Sequence, residues 1–200
     1  GMQQALHERS SLEADLRQGL SRGDLYVHYQ PVVDYQGHVK GAEALARWNH
    51  PERGLINPAE FIPLAEQTGL ILPLGRHILH TACEQLVRWS RQQETAHLSV
   101  AVNVSARQFR HSGFAAEVLQ TLRETGANPR RLKLELTESL LLGDIEDTIE
   151  RMVQLKREGV GFALDDFGTG YSSLGYLKRL PLDQVKIDRG FVRDVLTDPN

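Results

Sequence analysis

Apolar positions along the chain fall into two patterns that alternate. From Ser10 to Leu20 the leucines Leu12, Leu16 and Leu20 recur at helical spacing, and Ser21 and Gly23 end the run. Leu25 to Val33 is rich in aromatic and β-branched residues, with Pro31 inside it, which predicts an edge or irregular strand. Gln36-Gly37 predicts a turn, and Val39 to about Trp48 a second strand. The link between these two strands is too short for a helical crossover, so they are expected to pair antiparallel. Asn57-Pro58-Ala59-Glu60 combines a cap, a first-turn proline and a capping-box acid ahead of a short helix that Gly69 can end. A longer helix is expected from about Leu74 to Arg91. Strands then follow at Leu98–Val104, Leu132–Leu136, Val160–Leu164 and Val185–Ile187, with helices at Phe114–Thr125 and Asp144–Arg157. Strand and helix alternate through the second half, which implies parallel strands with helical crossovers.

Six strands in order result, with acids and amides gathered at their C-terminal ends, where barrel active sites form. An open doubly wound sheet is the alternative. It is weakened because no Gly-rich dinucleotide loop follows an early strand.

The placement of the acids changes the picture from fold to chemistry. Glu43, Glu135, Asp165 and Asp166 each lie in or just after an apolar run. Carboxylates are unfavourable inside a sheet unless paired or bound to a metal, so their convergence points to a site for hard divalent cations. Asp165 and Asp166 open the run Asp-Asp-Phe-Gly-Thr-Gly-Tyr-Ser-Ser173. Adjacent strand residues face opposite ways, so both acids can face one site only if the strand is already ending at Asp166. A carboxylate can then bridge two cations, and Gly168 and Gly170 suit a loop that gates a substrate. An Asx-turn at a strand end is the plainer reading.

The neighbouring polar residues keep two readings each. Asn103, within Ala101-Val-Asn-Val-Ser105, is either a neutral oxygen ligand or a hydrogen-bonded core amide. Glu138 is either a helix-start acid or a brace for the Asp165 loop. Lys186 either holds charge beside cations or forms a structural salt bridge with Glu135 or Asp188. Arg47 shares a strand face with Glu43 and Leu45 and can reach a phosphate from the rim. Gln30 sits at a strand end where a base or ribose could be read. Of the eight histidines, six, including His77 and His80, have no strand-end setting and read as surface or packing residues. His50, just past the second strand, is the least secure member of that group.

Composition adds exclusions. The formal net charge of −3 gives no electrostatic footprint for a nucleic-acid backbone, so no DNA or RNA duplex is expected as a partner. A single cysteine, Cys83, excludes an intrachain disulfide and a cysteine-rich zinc site, and its helical setting reads as an inert buried thiol. No stretch approaches the roughly 20 apolar residues of a membrane span, and no signal peptide is visible. A cytoplasmic setting is expected, with a membrane-anchored parent left open. Gly1-Met2 reads as a scar of tag removal, and residues 1–9 as a linker or tag remnant ahead of a domain running from residue 10 to residue 200.

Taken together, Glu43-Ala44-Leu45, Tyr29-Gln30-Pro31, Asn103-Val-Ser105, Glu135-Leu-Thr-Glu138, Asp165-Asp-Phe-Gly-Thr-Gly-Tyr171 and Lys186-Ile-Asp188 resemble, in order and spacing, the signature of the EAL domain family. The resemblance covers the chain from about Ser10 to its last residue. It implies a TIM-like (β/α)8 barrel whose first strand runs antiparallel to the rest. It implies hydrolysis of cyclic di-GMP to linear pGpG with two divalent cations, Mg2+ or Mn2+, while Ca2+ supports binding and blocks turnover. By position, Glu43, Asn103, Glu135 and Asp165 resemble ligands of a first metal, and Asp165 and Asp166 help to hold a second. Lys186 resembles a lysine that contacts the water or metal shell, Glu138 the glutamate that steadies the loop after the paired aspartates, and Gln30, Leu45 and Arg47 substrate contacts.

Family members carry two further strands, with an Ala-Glu-Gly-Val-Glu motif and a Gln-Gly segment that do not occur here. Only about six barrel strands are therefore expected in this chain, and the 200-residue chain alone is expected to be inactive or nearly so. A degenerate EAL domain that binds cyclic di-GMP as a receptor without cleaving it is the competing function, and a purely structural partner domain a third. Met2-Gln-Gln-Ala-Leu-His-Glu-Arg9 resembles the link that follows a GGDEF cyclase domain, which implies upstream GGDEF or sensory domains in a bacterial signalling protein. A homodimer is also in keeping with the family.

Overall fold

The computed structural model describes residues 2–167 and 177–187. Helix α1 (Met2–Arg22) begins eight residues before the expected start, so the stretch read as a linker is helical. It buries Leu12 and Leu16. Strands β1 (Leu25–Val33) and β2 (Val39–His50) form the expected antiparallel hairpin, with Gln30 opposite Glu43 and His28 opposite Leu45. The Asp34 carboxylate closes the hairpin by accepting from the backbone N–H groups of Gln36 and His38, both at 2.9 Å, and Gly37 supplies the left-handed residue with φ of 84°. Pro31 is tolerated because β1 pairs only with β2 among the described residues.

A third strand, β3 (Gly54–Ile56), was not anticipated; it folds back on β2 as a short antiparallel flap. Three residues are too few to leave a periodic signal. Helix α2 (Pro58–Thr68) starts as expected at Asn57, whose side chain accepts from Ala59 N–H at 2.9 Å. Then come α3 (Ile71–Ser90), β4 (Ser99–Val104), α4 (Ala106–Arg110), α5 (Phe114–Thr125), β5 (Leu132–Thr137), a 3-10 turn (Glu138–Leu142), α6 (Ile145–Arg157), β6 (Gly161–Phe167) and β7 (Gln184–Ile187). Helix α4 is the other element the periodicity missed; Ser105 caps it through Gln108 N–H.

Strand order is β1-β2-β4-β5-β6-β7, with β3 a side branch on β2, and every pairing from β2 to β7 is parallel. Each strand lies beside the next one in sequence, so the order never reverses and there is no switch point of the doubly wound kind. The packing agrees. Ala44, Val100, Val102, Val104, Leu132, Leu134, Leu136, Phe162 and Leu164 all face one side of the sheet and form a single apolar cluster with α3, α5 and α6. A second cluster joins α1 and α2 to Trp48 and Ile56 at the far end of β2. Helices on one face with consecutive parallel strands are the wall of a TIM-like barrel. The described part is a partial barrel whose wall runs through six strands, as the sequence suggested, and β3 adds a seventh strand to the sheet as a side branch.

Because side chains alternate along a strand, the other face collects Glu43, Leu45 and Arg47 from β2, Asn103 from β4, Glu135 from β5, Asp165 from β6 and Lys186 from β7. Paired positions such as Asn103 with Glu135 and Thr137 with Asp165 share that face. These seven expected site residues are therefore on the barrel's inner side by register alone.

Candidate active site

Glu43 sits on the strand that is held from both sides, by β1 and β4. Gly41 makes the second approach possible. A Cβ there would stand 2.3 Å from the Ser99 carbonyl oxygen, so only glycine lets β2 and β4 close two residues below Glu43. Asn103 Nδ2 donates to Glu43 Oε1 at 2.7 Å, which leaves its carbonyl oxygen to face the site. Asn103 is exposed, so it is not the core amide of the alternative reading.

Glu135 is the most enclosed acid, 2% exposed. Its Oε1 lies 2.5 Å from Lys186 Nζ, which is also 3.9 Å from Glu43 Oε2. Its Oε2 is buried with no hydrogen-bond partner among the described residues. Burial pushes the Glu135 carboxyl above the usual range; the Lys186 ammonium pulls the other way, and the charges of Glu43 and Asp165 add to the rise. Burial works against the Lys186 charge, yet the hydrogen bond and charge of Glu135, with Glu43 and Asp165 behind it, hold the ammonium above the ordinary lysine value. Lys186 thus makes the Glu135 salt bridge foreseen for it, and it does so at the centre of the acid cluster. Asp188 lies outside the described residues.

The paired aspartates required a correction. Strand β6 does not end at Asp166; it runs on to Phe167. Both acids are accommodated by a β-bulge instead. Leu164 pairs with Val185 and Phe167 with Ile187, so β6 spends one residue more than β7 over the same stretch. Asp166 occupies the bulge with φ of 54°, the sole positive-φ non-glycine residue among those described, and its N–H donates to Asp165 Oδ1 at 2.9 Å. Aspartate tolerates this left-handed conformation better than most residues. The Gly168–Ser173 loop, read from the sequence as a gate, lies outside the described residues.

Glu138 follows β5 at the head of the 3-10 turn, 7% exposed, with both carboxylate oxygens buried and without a hydrogen-bond partner among the described residues. Arg110 fixes this turn by donating to the Ser139 and Leu140 carbonyls at 3.1 Å. Leu45, Arg47 and Asn103 line one cleft of about 380 Å3 that runs from the acids towards α2 and α3. Arg47 currently donates to the Ala46 carbonyl at 2.8 Å. Gln30 lies across from Glu43 on the same inner face.

Other residues define the frame. The Asp183 carboxylate accepts from Phe162 N–H at 2.8 Å and from Lys156 Nζ at 2.6 Å, which docks the start of β7 against β6. The sequence offered no signal for it beyond an acid ahead of a strand. His50, set aside as a surface or packing residue, is 6% exposed. Its Nδ1 accepts from the N–H groups of Glu52 and Arg53 at 3.1 Å, which places the proton on Nε2, 3.2 Å from Asp15 Oδ2. It ties α1 to β2 and belongs to the packing. His77 likewise meets the Leu25 carbonyl at 3.0 Å.

The donors that converge are all oxygens, the chemistry that suits Mg2+ or Mn2+ rather than zinc. The buried, unpartnered Oε2 of Glu135 fits a cation as its missing partner. As placed, no group of three or more acidic, histidine or cysteine side chains among the described residues is close enough to enclose an ion. Lys186 Nζ supplies the counter-charge at Glu135.

The sequence profile of the EAL domain family matches residues 13–200. The chain belongs to the EAL family. Among relatives of this EAL domain, the bifunctional diguanylate cyclase/cyclic di-GMP phosphodiesterase MucR of Pseudomonas aeruginosa is 47% identical over 192 residues, covering 96% of this chain and 28% of that protein. The cyclic di-GMP phosphodiesterase PdeR of Escherichia coli is 41% identical over 198 residues, covering 99% of this chain and 30% of that protein. The chain thus spans less than a third of the length of these curated relatives. Among solved structures, the MucR phosphodiesterase in complex with c-di-GMP superposes with a TM-score of 0.87 at 47% identity, over 94% of this chain and 76% of that one. The likeness agrees with the barrel fold described above.

Proposed function

We propose that this EAL domain hydrolyses cyclic di-GMP to linear pGpG in a reaction that depends on two divalent cations, Mg2+ or Mn2+. The observation that carries the reading is the buried carboxylate of Glu135, with one oxygen on Lys186 and the other without a partner among the described residues, beside Asn103 on the adjacent strand and Glu43 on the next. The names of MucR, PdeR and NbdA, a third relative, support the substrate class.

Glu43, Asn103, Glu135 and Asp165 would hold one cation, and Asp165 with Asp166 the other. When bound, the cations supply an activated water and offset phosphate charge. The residues of the chain do the rest. Lys186 keeps a fixed positive charge beside the acids and orients the attacking water towards phosphorus. Arg47 clamps a phosphate from the rim of the cleft, while Leu45 and Gln30 hold the sugar and base. Glu138 steadies the segment after Asp166. Attack in line with the departing 3′ oxygen opens the ring and yields the linear dinucleotide. Ca2+ supports binding and blocks turnover. The domain works in the cytoplasm of a larger signalling protein, with upstream GGDEF or sensory modules and a homodimeric assembly. No helix among the described residues is long and apolar enough to cross a membrane.

The test is hydrolysis of cyclic di-GMP by the intact protein, followed by chromatography of pGpG, with Mg2+, Mn2+, Ca2+ or chelator present. Turnover with the first two ions, and its loss in Glu135→Gln and Asp165→Asn, is the expected result. Binding without turnover under every ion would favour the receptor reading instead, and neither binding nor turnover would sink both.

A further inference from the structure

Glu138 stands apart from the other acids. Its residue is 7% exposed, and neither carboxylate oxygen has a hydrogen-bond partner among the described residues. It comes one residue after Thr137, which pairs with Asp165 between β5 and β6. No described side chain hydrogen-bonds its carboxylate, so the backbone beneath it sets its aim. That backbone is a five-residue 3-10 turn with no side-chain cap at its start. Short 3-10 segments have poor internal hydrogen bonding, so contacts from outside decide where they sit.

Those contacts come from α4. Arg110, the last residue of that helix, donates from Nη2 to the carbonyls of Ser139 and Leu140, the two residues after Glu138. Arg110 is itself pinned. Arg151 on α6 donates to the carbonyls on either side of it, Phe109 at 3.0 Å and His111 at 2.6 Å, and pairs with Asp147 at 3.0 Å. The exit of the turn leaves room for the guanidinium. A Cβ at Gly143 would stand 2.6 Å from Arg110 Nη2 and 2.8 Å from its Cζ and Nε. The φ of Gly143 is −108°, not the left-handed conformation that calls for glycine, so clearance is the reason for it. Leu140 is 2% exposed and seated in the main core, which keeps the turn folded but anchors it only at its middle.

We infer that Arg110 is a positioning residue for the hydrolysis: its hold on the two carbonyls after Glu138 fixes where that carboxylate points beside Asp165. The inference rests on the proposed reaction and on the role given there to Glu138. Arg110 acts through Glu138 and not on the reacting atoms. It joins the turn that follows β5 to the helix that follows β4, so the strands bearing Asn103 and Glu135 share one frame at their C-terminal ends.

The experiment compares wild type with Arg110→Ala, Arg110→Lys, Gly143→Ala and Glu138→Gln in the intact protein, and places Arg110→Ala in the Glu138→Gln background as well. Turnover of cyclic di-GMP gives kcat and KM, calorimetry in Ca2+ gives Kd, and thermal melting without ligand gives stability. Arg110→Ala and Gly143→Ala are expected to lower kcat about tenfold, the lower end of what losing a supporting contact around a cation site does. KM and Kd are expected to stay within about twofold, because the residues proposed to contact the substrate are untouched. Gly143→Ala pushes aside the far end of a flexible side chain, so it reproduces the loss with the arginine still present. Arg110→Lys keeps a charged donor for one carbonyl and is expected to lose only about threefold. In the Glu138→Gln background, Arg110→Ala is expected to cost nothing more. Where Arg110→Ala does not fold, Gly143→Ala and Arg110→Lys decide by the same criteria. Wild-type kcat in Arg110→Ala overturns the inference, as does a loss of the same size in the Glu138→Gln background, the mark of a contact that only holds the fold together. Wild-type turnover in Glu138→Gln overturns the role of Glu138 and the inference together and leaves the proposed substrate intact. Absence of turnover in the wild-type protein overturns the proposed reaction as well.

Discussion

Asp183 is the sharpest place to test how the site is held. Replacing it with alanine removes two acceptors at once. The first serves the N–H of Phe162, a residue with 0% exposure, at 2.8 Å. A backbone N–H bonded to a charged group contributes roughly 1.5–3 kcal/mol, and leaving it unpaired in a buried segment forfeits that. The second serves Lys156 at 2.6 Å, but both side chains are partly exposed, at 31% and 44%, so this arm is discounted to about 0–1 kcal/mol. Asp183→Ala is therefore expected to lose about 2–3 kcal/mol in urea unfolding, and Asp183→Asn, which keeps an acceptor for Phe162, about 1 kcal/mol. Burial opposes the Asp183 charge, but the bonds from Lys156 and Phe162 outweigh it and hold the carboxyl below the usual aspartate range. A depressed folded pKa gives stability that is present above the unfolded value and lost as pH falls through the folded one. The gap between wild type and Asp183→Ala is thus expected to stay constant from about pH 5 to 8 and to narrow in acid below about 4. Hydrogen exchange at Phe162 should accelerate in the alanine variant alone. A loss below about 0.5 kcal/mol, or an asparagine variant as unstable as the alanine one, would refute the assignment.

Asp166→Gly is expected to hold stability within about 1 kcal/mol of wild type, whereas Asp166→Val loses about 1–3 kcal/mol because a branched residue is strained at φ of 54°; both should abolish cyclic di-GMP hydrolysis, and a stable valine variant would argue against the bulge. Gly41→Ala should destabilise the fold by at least about 1–3 kcal/mol in urea unfolding, since its methyl meets backbone at Ser99 rather than a side chain that can move. Burial pushes the Cys83 thiol up to about 12; a thiol-specific reagent should label it in denaturant and leave the native protein unmodified at pH 8.

The long, strongly patterned elements were legible because burial on one side enforces period. The β1–β2 hairpin followed from a link too short for any crossover, and the parallel half from alternation of strand and helix. The inward placement of Glu43, Glu135 and Asp165 followed from the cost of burying an acid without a partner. What escaped has a common cause: a few residues acting through geometry that spacing does not encode. β3 is three residues long, and α4 is five. The bulge at Asp166 depends on a count of residues on two strands at once. Asp183 works through a backbone N–H twenty-one positions away.

The counter-charge of the acid cluster rides on β7, four residues anchored through β6 and Asp183, while the oxygen donors sit on β2, β4 and β5 deep in the wall. Detachment of that one strand would strip the positive charge from Glu135 and leave the rest of the cluster folded. If the domain holds cations as proposed, such a state would bind them more tightly, and ion occupancy and strand docking would be linked, each shifting the other by the same free energy. Magnesium concentration would then act on the protein as a conformational effector as well as a reagent.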